Sequence, residues 1–146
     1  MRCCTLLLAA MLTVSCAHTG ERVFIHEGSA IRGYDPVAYF TNGEPTQGKE
    51  TISYQYSGAT WQFATEDHRD VFVADPEKYT PQYGGFCAYA MANGFFVSTD
   101  PHAWQIHEDK LYLNYSEGVR ERWRKNIPKY VAKADENWAE AFDNQQ

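Results

Sequence analysis

Alternating apolar and polar positions mark two hairpins in this chain. Ile52-Ser-Tyr-Gln-Tyr56 and Thr60-Trp-Gln-Phe63 alternate on either side of Ser57-Gly58-Ala59, a short connector containing glycine, which predicts an antiparallel pair. Trp104-Gln-Ile-His107 and Lys110-Leu-Tyr-Leu-Asn-Tyr115 predict a second pair around Glu108-Asp109. Elsewhere the period is helical. Thr65 is placed to cap a helix from Glu66 to about Ala74, and Asp75-Pro76 ends it and opens a further turn carrying Tyr79. Ser116 caps a helix to about Asn126, before Pro128. Ile127, Tyr130, Val131, Ala134, Trp138 and Ala141 then form an amphipathic docking face on a last helix. Asp35-Pro36 starts a turn that buries Val37, Tyr39 and Phe40, and Phe95-Phe-Val-Ser98 reads as a buried strand. The expected class is α+β: two small antiparallel β-hairpins packed with short helices and a C-terminal amphipathic helix.

Between the hairpins lies Pro81-Gln-Tyr-Gly-Gly-Phe-Cys87-Ala-Tyr-Ala-Met-Ala-Asn-Gly94. The glycine pair allows a sharp turn, the alanine-rich run predicts a short helix, and Asn93-Gly94 predicts its left-handed stop. Cys87 is thereby expected in the first helical turn, where free N–H groups favour a thiolate.

Composition changes the picture in two ways. Leu111 and Leu113 are the only leucines after the first sixteen residues, whereas the chain holds 10 Tyr, 8 Phe and 4 Trp, so its core must be largely aromatic. The formal charge is −6, and loss of a leader containing Arg2 removes one positive charge to give −7. That balance argues against nucleic acid as a partner, and no basic run suggests adhesion to anionic lipid. The 146 residues suit one domain after processing.

Residues 1–16 read as a signal peptide: Arg2 gives the charged start and Cys3 to Val14 an apolar stretch too short to span a bilayer comfortably. Leu12-Thr-Val-Ser-Cys16 looks like a bacterial lipobox, leaving a lipidated Cys16 first in the mature chain. Cleavage after Ala17 is the alternative. Either route exports the protein to the cell envelope, periplasmic or membrane-anchored, with the lipid as its only membrane attachment. Residues 17–29 are expected to be a tether and 30–142 a single domain. Cys3, Cys4 and Cys16 are then lost or lipidated, and Cys87 remains unpaired in an oxidising compartment.

Three segments together resemble the YHS-domain family: Tyr34-Asp-Pro-Val37, the run from Gly58 to Phe72, and Ala74-Asp-Pro-Glu-Lys-Tyr79. The likeness covers a YHS core at 34–80, about a third of the chain. The extension, 81–142, looks like the longer exported branch of the family, with its Tyr-Gly-Gly-aromatic-Cys-Ala-Tyr-Ala run. In YHS domains that accompany heavy-metal transporters, cysteines serve as metal ligands at three positions. Here those positions are Ala38, Ala64 and His68, so the resemblance carries over only His68 as a donor.

A different metal site remains open. Cys87 and Met91, four apart, share a helix face, and thiolate with thioether suits Cu(I). His68, His102 or His107 would complete the set. The expectation is soft-metal binding or handling, copper first, through Cys87, His68 and Met91. Two alternatives stand beside it. In one, Tyr34, Tyr39, Tyr79, Tyr83, Tyr89, Trp61 and Trp104 line a pocket for a small ligand in a non-catalytic module with Cys87 structural. In the other, Cys87 with His68 as base acts as a redox thiol, without a second cysteine at CxxC spacing. No protein partner is legible.

Overall fold

The computed structural model describes residues 21–143 and bears out the α+β class: six helices and three antiparallel two-stranded sheets. The expected leader and the expected lipidation site, Cys16, lie outside the described residues. β3 (Lys49–Tyr56) pairs with β4 (Ala59–Phe63), and β5 (Asp100–His107) with β6 (Lys110–Asn114). The connectors of both pairs, Ser57-Gly58 and Glu108-Asp109, have positive φ at both central residues. That is the turn geometry whose twist matches the strands it joins.

The expected helices form where their caps stand. Thr65 accepts from the His68 N–H at the start of α2 (Glu66–Ala74). Ser116 accepts from Val119 at the start of α5 (Glu117–Arg124). Asp35 accepts from Val37 and Ala38 ahead of α1 (Ala38–Thr41). Pro76 opens α3 (Pro76–Tyr79), and Ala88–Met91 form α4. The last helix, α6, runs over Ile127–Asp143, with Pro128 in its first turn, where a missing N–H costs nothing.

Two expectations need correction. Residues 17–29 are not a tether over their described part, 21–29. Val23 and Phe24 are buried, and a third hairpin joins β1 (Ile25–His26) to β2 (Ser29–Ala30) through Glu27-Gly28. Its strands are two residues each, too short for any alternation to show. Nor do residues 95–98 form a strand. Gly94 turns left-handed after α4, and Phe95 is 65% exposed. The segment then makes single backbone bonds back to α4, Phe95 N to Ala90 O and Cys87 N to Val97 O.

β6 divides the interior. Its alternation sends Leu111 and Leu113 into a core with Trp61, Phe63, Phe72 and Tyr39. Tyr112, on the opposite face, enters a second core with Tyr83, Met91, Trp123 and Ala134. The α6 face docks there through Tyr130, Val131 and Trp138. Among the described residues no helix is long and apolar enough to cross a membrane.

Candidate functional site

Cys87 occupies the N-cap of α4 rather than its first turn, and its side chain is spoken for. Sγ accepts from the Ala90 N–H at 3.5 Å and the Tyr115 N–H at 3.3 Å, and its proton points at Asn114 Oδ1, 3.7 Å away. The residue is 1% exposed. Burial pushes the thiol pKa up, and the N–H donors of Ala90, Tyr115 and Tyr89 offset this only in part. A four-residue helix adds little dipole. The geometry describes a protonated, packed sulfur rather than a reactive one. Met91 lies one turn on, its N–H bonded to the Cys87 carbonyl, and is equally buried in the second core.

His68 stands in other company. Its Nδ1 lies 2.6 Å from Oδ2 of Asp35, which has no solvent exposure, and its Nε2 lies 3.2 Å from the Thr41 hydroxyl. The carboxylate can only accept, so Nδ1 carries a proton. The same carboxylate takes the N–H groups of Val37 at 2.9 Å, Ala38 at 3.3 Å and Ala64 at 2.9 Å. Thus the three positions singled out by the resemblance, Ala38, Ala64 and His68, do converge, and they converge on Asp35. In this chain the meeting point is a buried carboxylate with four donors, which fastens α1, β4 and α2 together. Asp35 reads as a mere cap in the sequence, because its contacts with Ala64 and His68 lie about thirty residues away.

The structure therefore brings Cys87 and Met91 together on α4, and sets His68 against Asp35 and Thr41. His102 pairs with Asp100 at 3.2 Å and meets the Tyr34 ring edge-on, while His107 lies 3.9 Å from Glu108. Among the described residues no three His, Cys, Asp or Glu side chains are grouped to hold a metal ion. Most of the aromatic residues offered as pocket walls are core: Tyr39, Tyr79, Tyr83 and Trp61 are buried. Burial also raises the pKa of the Tyr39 and Tyr83 phenols, and that of Tyr112 to about 12.

Of that set only Tyr34 lines an open cleft of about 540 Å³ beside Arg32. Arg32, Asp100, His102, Tyr115 and Ser116 line it as well. Arg32 sits in a left-handed turn with Ile31 and Gly33, at φ of 42°, 60° and 75° in chain order. For a β-branched residue such as Ile31 this is a genuine outlier, and each non-glycine residue there costs ~1–3 kcal/mol. The surroundings hold it in place. Ile31 N–H bonds to Phe24 O, and the buried Ile31 side chain rests against Gly85, where a Cβ would come within 2.4 Å of Cγ2. Gly85 O accepts from the Thr99 hydroxyl at 2.7 Å, and Thr99 O accepts from Arg32 Nε at 2.9 Å. The guanidinium also lies 5.6 Å from the Phe24 ring centre. Gly85 thus packs under the turn that carries Arg32, while Gly84 packs against the Arg22 carbonyl.

Nothing in the local pattern of Ile31-Arg32-Gly33 signals this role, since each of these contacts is made across the chain. Comparison with protein-family models, with curated proteins and with solved structures returned no match to this chain. The arrangement can bind: the Arg32 side chain lines the cleft and among the described residues no ion pair with a carboxylate engages it, whereas the Cys87 thiol is sealed.

Proposed function

We propose that the mature chain is an exported, non-catalytic envelope module that binds a small polar ligand in the Arg32 cleft, with Cys87 structural. One observation carries the reading: a strained turn spends stability to hold an Arg side chain, free of any carboxylate partner among the described residues, at the wall of an open cleft. Strain of this kind persists where the surroundings over-determine it, and it gathers at binding sites. The leader-like first sixteen residues support export, and the YHS-like segments support kinship with envelope proteins of that family.

Soft-metal handling through Cys87, His68 and Met91 is the competing reading. It requires the sulfur to shed its N–H donors and become solvent-accessible, and His68 to leave Asp35. Two measurements separate the two. A ligand that binds only the folded state at 100 times its Kd stabilises it by about 2.7 kcal/mol, a shift of several degrees in Tm. A panel of small polar compounds should contain members that shift wild type and fail to shift Arg32→Asn. Anaerobic competition for Cu(I) should show wild type no tighter than Cys87→Ser. Tight copper binding lost in both Cys87→Ser and His68→Ala would replace this proposal with the metal reading.

A further inference from the structure

The chemistry of the cleft narrows what it can hold. Among the described residues Arg32 uses only Nε, on Thr99 O, which leaves the terminal nitrogens of the guanidinium for a ligand. A guanidinium is a planar fork that matches a carboxylate in two parallel hydrogen bonds, and an Arg anchored through Nε and laid near an aromatic ring is already oriented. The rest of the cleft limits the charge it tolerates. Asp100 lines the same wall with its side chain nearly half exposed, and although its Oδ1 lies near His102 it remains a carboxylate beside the entering ligand. The chain as a whole carries −6. A single guanidinium in a cleft that also holds a carboxylate, on an acidic protein, favours a monoanion over a dianion such as a phosphate monoester near neutral pH. The walls add an apolar requirement. Tyr115 exposes 56% of its surface beside the cleft, and Tyr34 and Pro101 face it as well. Flat rings lining the same cleft as a charged anchor suit a ligand with a flat apolar body.

We infer that the ligand of this cleft is a small monocarboxylate with a flat apolar body, its carboxylate held by the Arg32 fork and its body against Tyr34 and Tyr115. The inference rests on the binding-module reading and deepens it.

The test is calorimetric titration of the folded mature chain with four probes: benzoate, benzamide, phenyl phosphate and acetate. Amide NMR maps the site. Benzoate is expected to bind and to shift Arg32, Thr99 and His102. Benzamide keeps the ring but loses the charge, and acetate keeps the charge but loses the ring, so each should bind about tenfold more weakly or worse. Arg32→Asn keeps a residue at home in the left-handed region and should abolish benzoate binding while the fold, checked by circular dichroism, persists. Arg32→Lys keeps the charge without the fork and should recover only part of the affinity. Tyr115→Ala, at an exposed position, should weaken benzoate but leave acetate unchanged. Benzamide or phenyl phosphate binding as tightly as benzoate, with the same residues shifted, overturns the carboxylate assignment and leaves a ligand-binding cleft standing. No binding by these probes or by any member of the polar panel overturns both. Benzoate binding that survives Arg32→Asn places the site elsewhere and also overturns the inference.

Discussion

Two left-handed turns lie against one another in this protein, and they are built from opposite materials. Tyr83-Gly84-Gly85 has φ of 56°, 60° and 87°, and Ile31-Arg32-Gly33 has 42°, 60° and 75°. In the first, glycine is demanded by space. A Cβ at Gly84 would stand 1.8 Å from the Arg22 carbonyl oxygen, with which no side chain can coexist. In the second, the corresponding central position carries an arginine whose side chain reaches Thr99 and the cleft. The glycine turn is a packing solution, and the arginine turn accepts strain for the sake of a side chain. Conformation alone therefore does not say why a residue is where it is; its neighbours do.

The sharpest way to break that comparison is Gly84→Ala. The clash is with backbone, which cannot rotate away, so the turn or the Arg22–Phe24 segment must move. The expected loss is about 3 kcal/mol or more in denaturant unfolding, the upper end of overpacking costs. A loss below about 1 kcal/mol would mean that the segment docks loosely and that the glycine is not required there.

Alkaline pH comes next. Cys87, Tyr39, Tyr83 and Tyr112 all have pKa values raised in the fold, by burial first. In the unfolded chain they lose protons from about 8.5 for the thiol and about 10 for the phenols. Between those values and the folded ones the native state holds more protons, so stability falls as pH rises. Melting temperature should be level near neutrality, fall above about pH 8.5, and drop steeply beyond pH 10. Tyr39, Tyr83 and Tyr112 should ionise together with unfolding rather than before it, as the last step in the tyrosinate absorbance. A Tm that stays constant to pH 11 would contradict the assigned burial.

Cys87→Ser tests the packed end of the glycine turn. A serine hydroxyl can accept from Ala90 and Tyr115 and donate to Asn114, so the change costs only about 1–2 kcal/mol in lost sulfur packing. The wild-type thiol should react with a maleimide only as fast as the fold opens. Labelling at the rate of a free thiol near neutral pH would instead show an accessible thiolate and revive the redox alternative.

The smallest stability effect belongs to the turn of greatest functional interest. Arg32→Asn loses the Thr99 hydrogen bond and gains a residue that tolerates the left-handed region, leaving stability within about 1 kcal/mol of wild type. Set beside Gly84→Ala, it would show identical backbone geometry with opposite tolerance. A loss above about 3 kcal/mol would make Arg32 a structural residue and remove the contrast.

Much of the fold was legible because its signals are local. A capping oxygen lies three residues from its N–H, a two-residue connector sets its own turn, and the α6 face repeats every three or four positions. Hence Thr65, Ser116 and Glu108-Asp109 read correctly from the chain, and the first connector to within one residue, Ala59 belonging to β4. The strand expected at Phe95–Ser98 failed because an apolar run looks the same whether or not a partner strand is there to receive it. The candidate site was legible only in part. His68, Ala38 and Ala64 could be named as positions that belong together, but that Asp35 is what joins them depends on a contact spanning thirty-three residues. Arg32 was not legible at all.

By itself, then, the sequence determined the α+β class, the two larger hairpins, the helix starts and an aromatic interior, since each follows from neighbours along the chain or from composition. Tertiary structure alone decided that Cys87 is sealed by Tyr115 and Asn114, that residues 21–30 belong to the fold, and that Gly85 packs against Ile31 beneath Arg32. The physical reason is the same in each case. Burial, strain and an unspent charge are properties of what surrounds a residue, and those surroundings come from segments dozens of residues away.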